Sequence, residues 1–150
     1  MNQFFQILKE DHEEVKVILA QLEETKESES KKREKLFQNL REELVPHMKA
    51  EESAFYEPLL TKKESREDTL EGVEEHHVNE MVLKELETTP KNTDQWGAKM
   101  SVFKELVEHH IKDEESKVFK SAEKALDQDE IQNIMRRFEQ EKQKIKKNMK

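Results

Sequence analysis

An all-α fold, an up-down-up-down four-helix bundle with a fifth C-terminal helix, is predicted by three features of this 150-residue chain. Apolar residues recur along it at alternating steps of three and four, the period of one helix face. Two Gly and three Pro in the whole sequence leave little punctuation for the many turns of a β protein. The third feature is a tandem repeat. Residues 47–53 read His-Met-Lys-Ala-Glu-Glu-Ser and residues 110–116 read His-Ile-Lys-Asp-Glu-Glu-Ser. His12 is followed by Leu19, Leu22 and Glu23, and His76 is followed at the same offsets by Leu83, Leu86 and Glu87. The chain therefore reads as a single domain over 1–150, built from two helical hairpins of about 2–60 and 69–126 and a last helix of about 128–148.

The first helix is expected over Asn2 to Glu24, with Phe5, Leu8, His12, Val15, Leu19 and Leu22 inward. Thr25 to Lys32 makes the first turn, with Ser28 or Ser30 available as a cap. The second helix carries Phe37, Leu40, Leu44, His47, Glu51 and Phe55 on one stripe. Pro46 inside it is expected to kink it or open its hydrogen-bond ladder, and Pro58 to close or bend its last turn. Thr61 to Asp68 is read as the link between hairpins. Thr69 would then cap a third helix with Val73, His76, Glu80, Leu83 and Leu86 inward and Gly72 in its first turn. A loop over Thr88 to Asp94 leads to the fourth helix, with Met100, Phe103, Val107, His110, Glu114 and Val118 inward. The fifth helix, capped by Asp127 or Asp129, presents Ile131, Ile134, Met135, Phe138 and Ile145 on one edge. Its basic end, Lys144 to Lys150, suits the negative pole of a helix.

Composition narrows the function. Charged residues make up 41% and hydrophobic ones 33%, which suits solvated helices around a narrow core. A formal net charge of −8 argues against nucleic-acid binding, because phosphates require a basic face. With no Cys, disulfides and cysteine-ligated zinc or iron–sulfur sites are excluded. No apolar run approaches the roughly 18 residues of a membrane span, and the N-terminus lacks a signal-peptide pattern. A cytoplasmic protein without membrane or nucleic-acid partners is expected.

The chemistry lies in the polar residues on the apolar stripes. A His and a Glu four apart share a helix face. In an antiparallel bundle, the two His-x-x-x-Glu helices run parallel, related by an approximate twofold axis. Two metal ions roughly 3.5–4 Å apart need carboxylates to bridge them and nitrogens to complete each end. Glu51 and Glu114 would bridge, while His47, His110, His12 and His76 would terminate. Burying six titratable groups in one layer is costly unless they bind something. Glu80, four residues after His76, is a candidate seventh ligand, although Lys16 stands at the equivalent place in the first helix. The repeat selects His76 over His77 and His110 over His109, leaving His77 and His109 as solvated or outer side chains. Glu52 and Glu115 are read as solvated or as partners of a ligand His, and Tyr56 as a core or rim residue.

Asp11-His12, His47 to Glu51, Glu74-Glu75-His76 and His110 to Glu114 with Phe119 together resemble the hemerythrin-like, HHE cation-binding family. The resemblance covers almost the whole chain and implies a four-helix bundle around two carboxylate-bridged, non-haem iron ions. It implies a small diatomic or peroxide ligand, with roles in oxygen binding, in sensing oxygen, nitric oxide or peroxide, or in iron handling. Oxygen-carrying members have a His four residues after the third-helix His, where this chain has Glu80. Their last motif is a His followed five later by Asp, where Glu114 follows His110 by four. An extra anionic ligand would stabilise the ferric state and disfavour reversible oxygen release. A reversible carrier and an oxidase- or peroxidase-like di-iron enzyme are the alternatives.

Overall fold

The computed structural model describes residues 2–149. Among them it contains helices α1 (Gln3–Glu23), α2 (Ser30–Glu51), α3 (Glu57–Leu60), α4 (Lys63–Thr88), α5 (Asp94–Asp113), α6 (Phe119–Ala125) and α7 (Gln128–Asn148). A π-helical turn, Glu52–Tyr56, joins α2 to α3, and a second, Glu114–Val118, joins α5 to α6. The seven helices thus make five rods, the expected bundle with a fifth helix.

Buried positions follow one rule in each rod. The main seam falls at residues 5, 8, 12, 15, 19 and 22 in α1 and at 33, 37, 40, 44, 47 and 51 in α2, with Phe4, Pro46, Met48 and Ala50 buried beside it. In α4 it falls at 65, 69, 72, 76, 79, 83 and 86, and in α5 at 96, 100, 103, 107 and 110, with Ile111 buried beside it. Strict alternation of threes and fours is the seam of helices packed at a shallow angle.

The apolar core is divided in two. Phe4, Phe5, Leu8, Ala54, Phe55, Leu59 and Phe119 fill one end, closed by Ile134 and Phe138 of α7. Val15, Leu19, Leu22, Leu40, Leu86, Trp96 and Phe103 fill the other. Between the two lies the layer that holds the histidines. At the far end buried Arg33 donates to the carbonyls of Lys91 (2.6 Å) and Thr93 (3.1 Å) and to the Thr25 hydroxyl (2.9 Å), tying the two hairpin loops together.

Four local expectations change. The third rod begins at Lys63 instead of Thr69, because the Thr69 hydroxyl donates back to the Ser65 carbonyl (2.6 Å) within the helix instead of capping it. Gly72 is therefore not in a first turn but mid-helix, where a Cβ would meet the Tyr56 hydroxyl at 3.3 Å. Helix α2 runs unbroken through Pro46, and the departure from α geometry comes after Glu51, in the π turn. Neither Ser28 nor Ser30 caps α2, whose N-cap is Glu29. Asp127 caps α7 in a reciprocal box with Glu130.

Candidate metal centre

Each of the four central rods delivers its polar group one helical repeat from a large apolar residue, so all converge at mid-height. His12, His47, His76 and His110 are at most 5% exposed, and Glu51 and Glu114 are fully buried. Their donor atoms form two overlapping groups. His12, His47, Glu51 and Glu114 make one, and His76, His110, Glu51 and Glu114 the other, with the atoms of each group within 4.8 Å of one another. The two carboxylates belong to both.

Glu51 reaches His47 Nε2 with one oxygen (3.6 Å) and His76 Nε2 with the other (3.1 Å). Glu114 reaches His12 Nε2 (3.2 Å) and His110 Nε2 (3.5 Å) in the same way. A metal ion bound at about 2.1 Å holds neighbouring donors roughly 3.0–3.4 Å apart; the 3.1 and 3.2 Å separations fall in that range and the 3.5 and 3.6 Å ones just beyond it. The orphaned atoms point the same way. His12 Nε2, His76 Nε2, both oxygens of Glu51 and Oε1 of Glu114 are buried without an aligned hydrogen bond, an expensive arrangement unless a cation completes it.

The outer nitrogen of every imidazole meets a carboxylate. His12 Nδ1 lies 2.7 Å from Glu115, His47 Nδ1 3.0 Å from Asp11, His76 Nδ1 2.8 Å from Glu52 and His110 Nδ1 2.7 Å from Glu75. A proton on Nδ1 donated outward leaves the Nε2 lone pair facing the centre, the tautomer a metal requires. The pattern obeys the repeat: the residue before the lone His serves the neighbouring rod, and the residue after each bridging Glu serves the lone His. The pairing expected of Glu52 and Glu115 is present. Asp11 and Glu75, quoted above only as flanks of the histidines, have the same role. Lys142 of α7 in turn grips Asp11 with both oxygens at 2.7 Å, and the Phe138 ring stands edge-on to His47 at 5.7 Å.

Glu80 is not brought to the centre. It lies on the outer side of α4, half-buried, in an ion pair with Lys49 (2.6 Å). The buried seam steps from His76 by three to Asn79, not by four to Glu80. His77 is exposed. The His109 side chain, 65% exposed, contacts Asp113 (3.1 Å) and Glu75 (3.6 Å) at the surface.

Tyr56 is where the sequence reading fell short. It is buried, its hydroxyl donates to Glu114 and lies 3.3 Å from His110 Nε2. The repeat contained the signal. Tyr56 follows Glu51 by five and aligns with Phe119, which follows Glu114 by five, so a hydroxyl was added at one of two equivalent aromatic positions. The π turn after Glu51 swings that ring inward.

The protonation states are unequal. Burial opposes charge on His12 and His110, yet Glu114 with Glu115 or Glu75 holds each imidazole up at about 9. Burial pulls His47 down to about 4, with Asp11 only partly compensating. Burial and the neighbouring Glu114 charge push Glu51 well above the carboxylate range. Burial would raise Glu114 as well, but His110 and His12 hold it low. Burial and the Glu114 and Glu51 charges push the Tyr56 phenol up. Protons thus occupy the positions that a cation would neutralise.

The sequence pattern of the Hemerythrin HHE cation binding domain matches residues 3–122. This chain belongs to that family. Helix α7 lies outside the matched segment but packs on the HHE bundle through Phe138 and Lys142. A crystal structure of a hemerythrin HHE cation-binding domain-containing protein from Mycobacterium kansasii shares the fold, with a TM-score of 0.77 at 23% identity, covering 96% of this chain and 89% of that one. No curated protein sequence matches. Among the described residues no helix is long and apolar enough to cross a membrane.

Proposed function

We propose that this HHE domain holds two non-haem iron ions and that the centre binds or senses dioxygen, nitric oxide or peroxide, or buffers iron. One observation carries this reading: Glu51 and Glu114 each reach one histidine from each half of the repeat. Carboxylate-bridged pairs take that form. His12 and His47 would hold one ion, His76 and His110 the other. A nitrogen and oxygen donor set without sulfur suits iron among the first-row metals. Two bridged irons supply one-electron redox chemistry and positions open to a small ligand.

The chain's own residues set the conditions. Asp11, Glu52, Glu75 and Glu115 orient the imidazoles, the two apolar clusters exclude water, and Tyr56 places a phenol oxygen beside Glu114 and His110. Glu80 is paired with Lys49 away from the centre, and the Tyr56 phenol would stand beside the ions instead. Loss of the phenol proton on metal binding would supply an anionic donor that stabilises ferric iron, which favours sensing, peroxide reaction or iron buffering over reversible oxygen carriage. The cavity between the histidines is small, about 10 Å³, and suits only a ligand of very few atoms. That speaks against an oxidase acting on an organic substrate. The acidic balance of the chain supports a function away from nucleic acid, and a reducing, cytoplasmic setting suits ferrous loading.

The test is metal analysis with an optical spectrum of protein purified without chelator. About two irons per chain, with absorption from a bridged ferric pair, is expected. Iron near zero, or one mononuclear ion per chain, would overturn the reading.

A further inference from the structure

The cavity between the histidines obeys the internal repeat, with one exception. Beyond the four imidazoles its walls are Val15, Leu44, Met48, Asn79, Val107 and Ile111. Aligned by the repeat, Leu44 pairs with Val107, Met48 with Ile111, and Val15 with Asn79. Five of the six are apolar, and the sixth is a carboxamide where its counterpart is valine.

Asn79 is 2% exposed. It is on the inward seam of α4, three residues after His76, so its side chain and the imidazole share one helix face. A carboxamide offers two donors and an acceptor, and buried amides are ordinarily bonded. No hydrogen bond joins the Asn79 side chain to another described residue, and the side chain borders the cavity, which leaves the amide free to meet what enters it. Nothing in the packing calls for a polar group here: leucine would fill the same volume, and the neighbouring seam residue is Leu83.

We propose that Asn79 is the hydrogen-bond donor that receives the small ligand of this centre. Its partner is the outer atom of a two-atom, lone-pair-bearing ligand of the class of dioxygen, nitric oxide or peroxide, whose inner atom faces the histidines. The proposal rests on the dinuclear metal reading. It makes Asn79 a specificity-determining residue. An apolar cavity would admit such ligands without distinguishing their polarity, whereas a single buried donor favours those whose outer atom gains negative charge.

The test uses Asn79→Leu in the full chain, with Asn79→Val, which copies Val15, as the second variant should leucine overfill the cavity. In the metal-free protein either variant should melt at the same temperature as wild type or higher. A fall of several degrees in both would show that the amide is a structural partner and overturn the proposal. In the iron-loaded, reduced protein the variants should keep the wild-type metal content. Nitric oxide should leave about three- to ten-fold faster, the loss expected for one hydrogen bond, with a shifted N–O stretching frequency. Unchanged release and stretch would overturn the role of Asn79 while leaving the metal reading intact. Wild-type protein that takes up no iron pair would instead sink the metal reading itself.

Discussion

Loading the metal-free protein with two divalent ions at pH 7.5 should expel roughly two to three protons per chain, and that number follows from the site. His12, in one donor group, and His110, in the other, are held at about 9. At pH 7.5 each carries a proton on the Nε2 that must become a ligand. His47, held at about 4, has none to lose. Glu51, pushed up by burial and by Glu114, shifts in the direction that adds to this release. Each obligatory proton makes apparent affinity rise about ten-fold per pH unit, or ~1.4 kcal/mol. Between pH 6.5 and 8.5 each ion should therefore bind on the order of a hundred-fold more tightly. Zinc, which is redox-silent and accepts the same donors, is the probe. Proton release can be read by titration in weak buffer and checked by calorimetry in two buffers of different ionisation enthalpy. His12→Gln should remove about one proton from the count. Release of less than one proton per chain, or an affinity flat in pH, would refute the reasoning.

The same groups set opposite pH dependences for the two forms. Raised histidines stabilise the metal-free fold fully below about pH 6.5, their unfolded value, and that contribution fades as pH rises toward 9. His47, depressed, contributes above about 6.5 and loses it as pH falls toward 4. Metal-free protein should thus melt highest near pH 6.5 and decline toward 9. Metal-loaded protein should gain over the same interval, since binding to the native state stabilises it. Parallel melting curves for the two forms would contradict this.

Further expectations can be checked with single variants. His47→Ala and His110→Ala should each lower metal content sharply while circular dichroism remains helical, whereas His77→Ala should leave loading unchanged. Glu80→Gln should also leave loading unchanged and cost at most about 1 kcal/mol of stability, because it removes one partly exposed ion pair with Lys49. Lys142→Met frees Asp11, and so His47, from the grip of α7. A chelator should then strip metal several-fold faster, with Lys142→Arg restoring the slower rate.

The bundle was legible because each rod keeps to one rule, steps of three and four, from Phe5 to Leu22 and from Met100 to His110. The six buried His and Glu side chains were legible for the same reason: a charged residue on that seam is conspicuous. Glu80 was misread because its type outweighed its register. Thr69, Gly72 and His76 step by three and then four, so the next inward position is 79. What sequence periodicity could not show is the π turn, since an extra residue per turn leaves no mark in apolar spacing. Those turns follow Glu51 and Glu114, and the first decides that Tyr56 enters the site. The outer carboxylates were only half legible, because Asp11 and Glu75 flank histidines they do not serve.

The internal repeat makes the two donor groups alike in histidines and shared carboxylates, and Tyr56 makes them unlike. Its hydroxyl stands by His110 and Glu114, while Phe119, its counterpart, has no oxygen to offer and stacks on Phe5 at 4.2 Å between ring centres. Iron beside Tyr56 should be the more easily oxidised of the pair, and a phenolate on ferric iron should give a visible charge-transfer band. Gly72 leaves room for the ring on the other side. Tyr56→Phe copies the other half of the repeat and removes one buried hydroxyl that Glu114 accepts from, with little change in volume. Metal content should persist, the visible band should vanish, and the two iron environments seen by Mössbauer spectroscopy should converge toward one. Gly72→Ala should give a weaker version of the same change, by pressing on the phenol oxygen. If wild-type protein already shows a single iron environment and no such band, the Tyr56 hydroxyl does not distinguish the two positions.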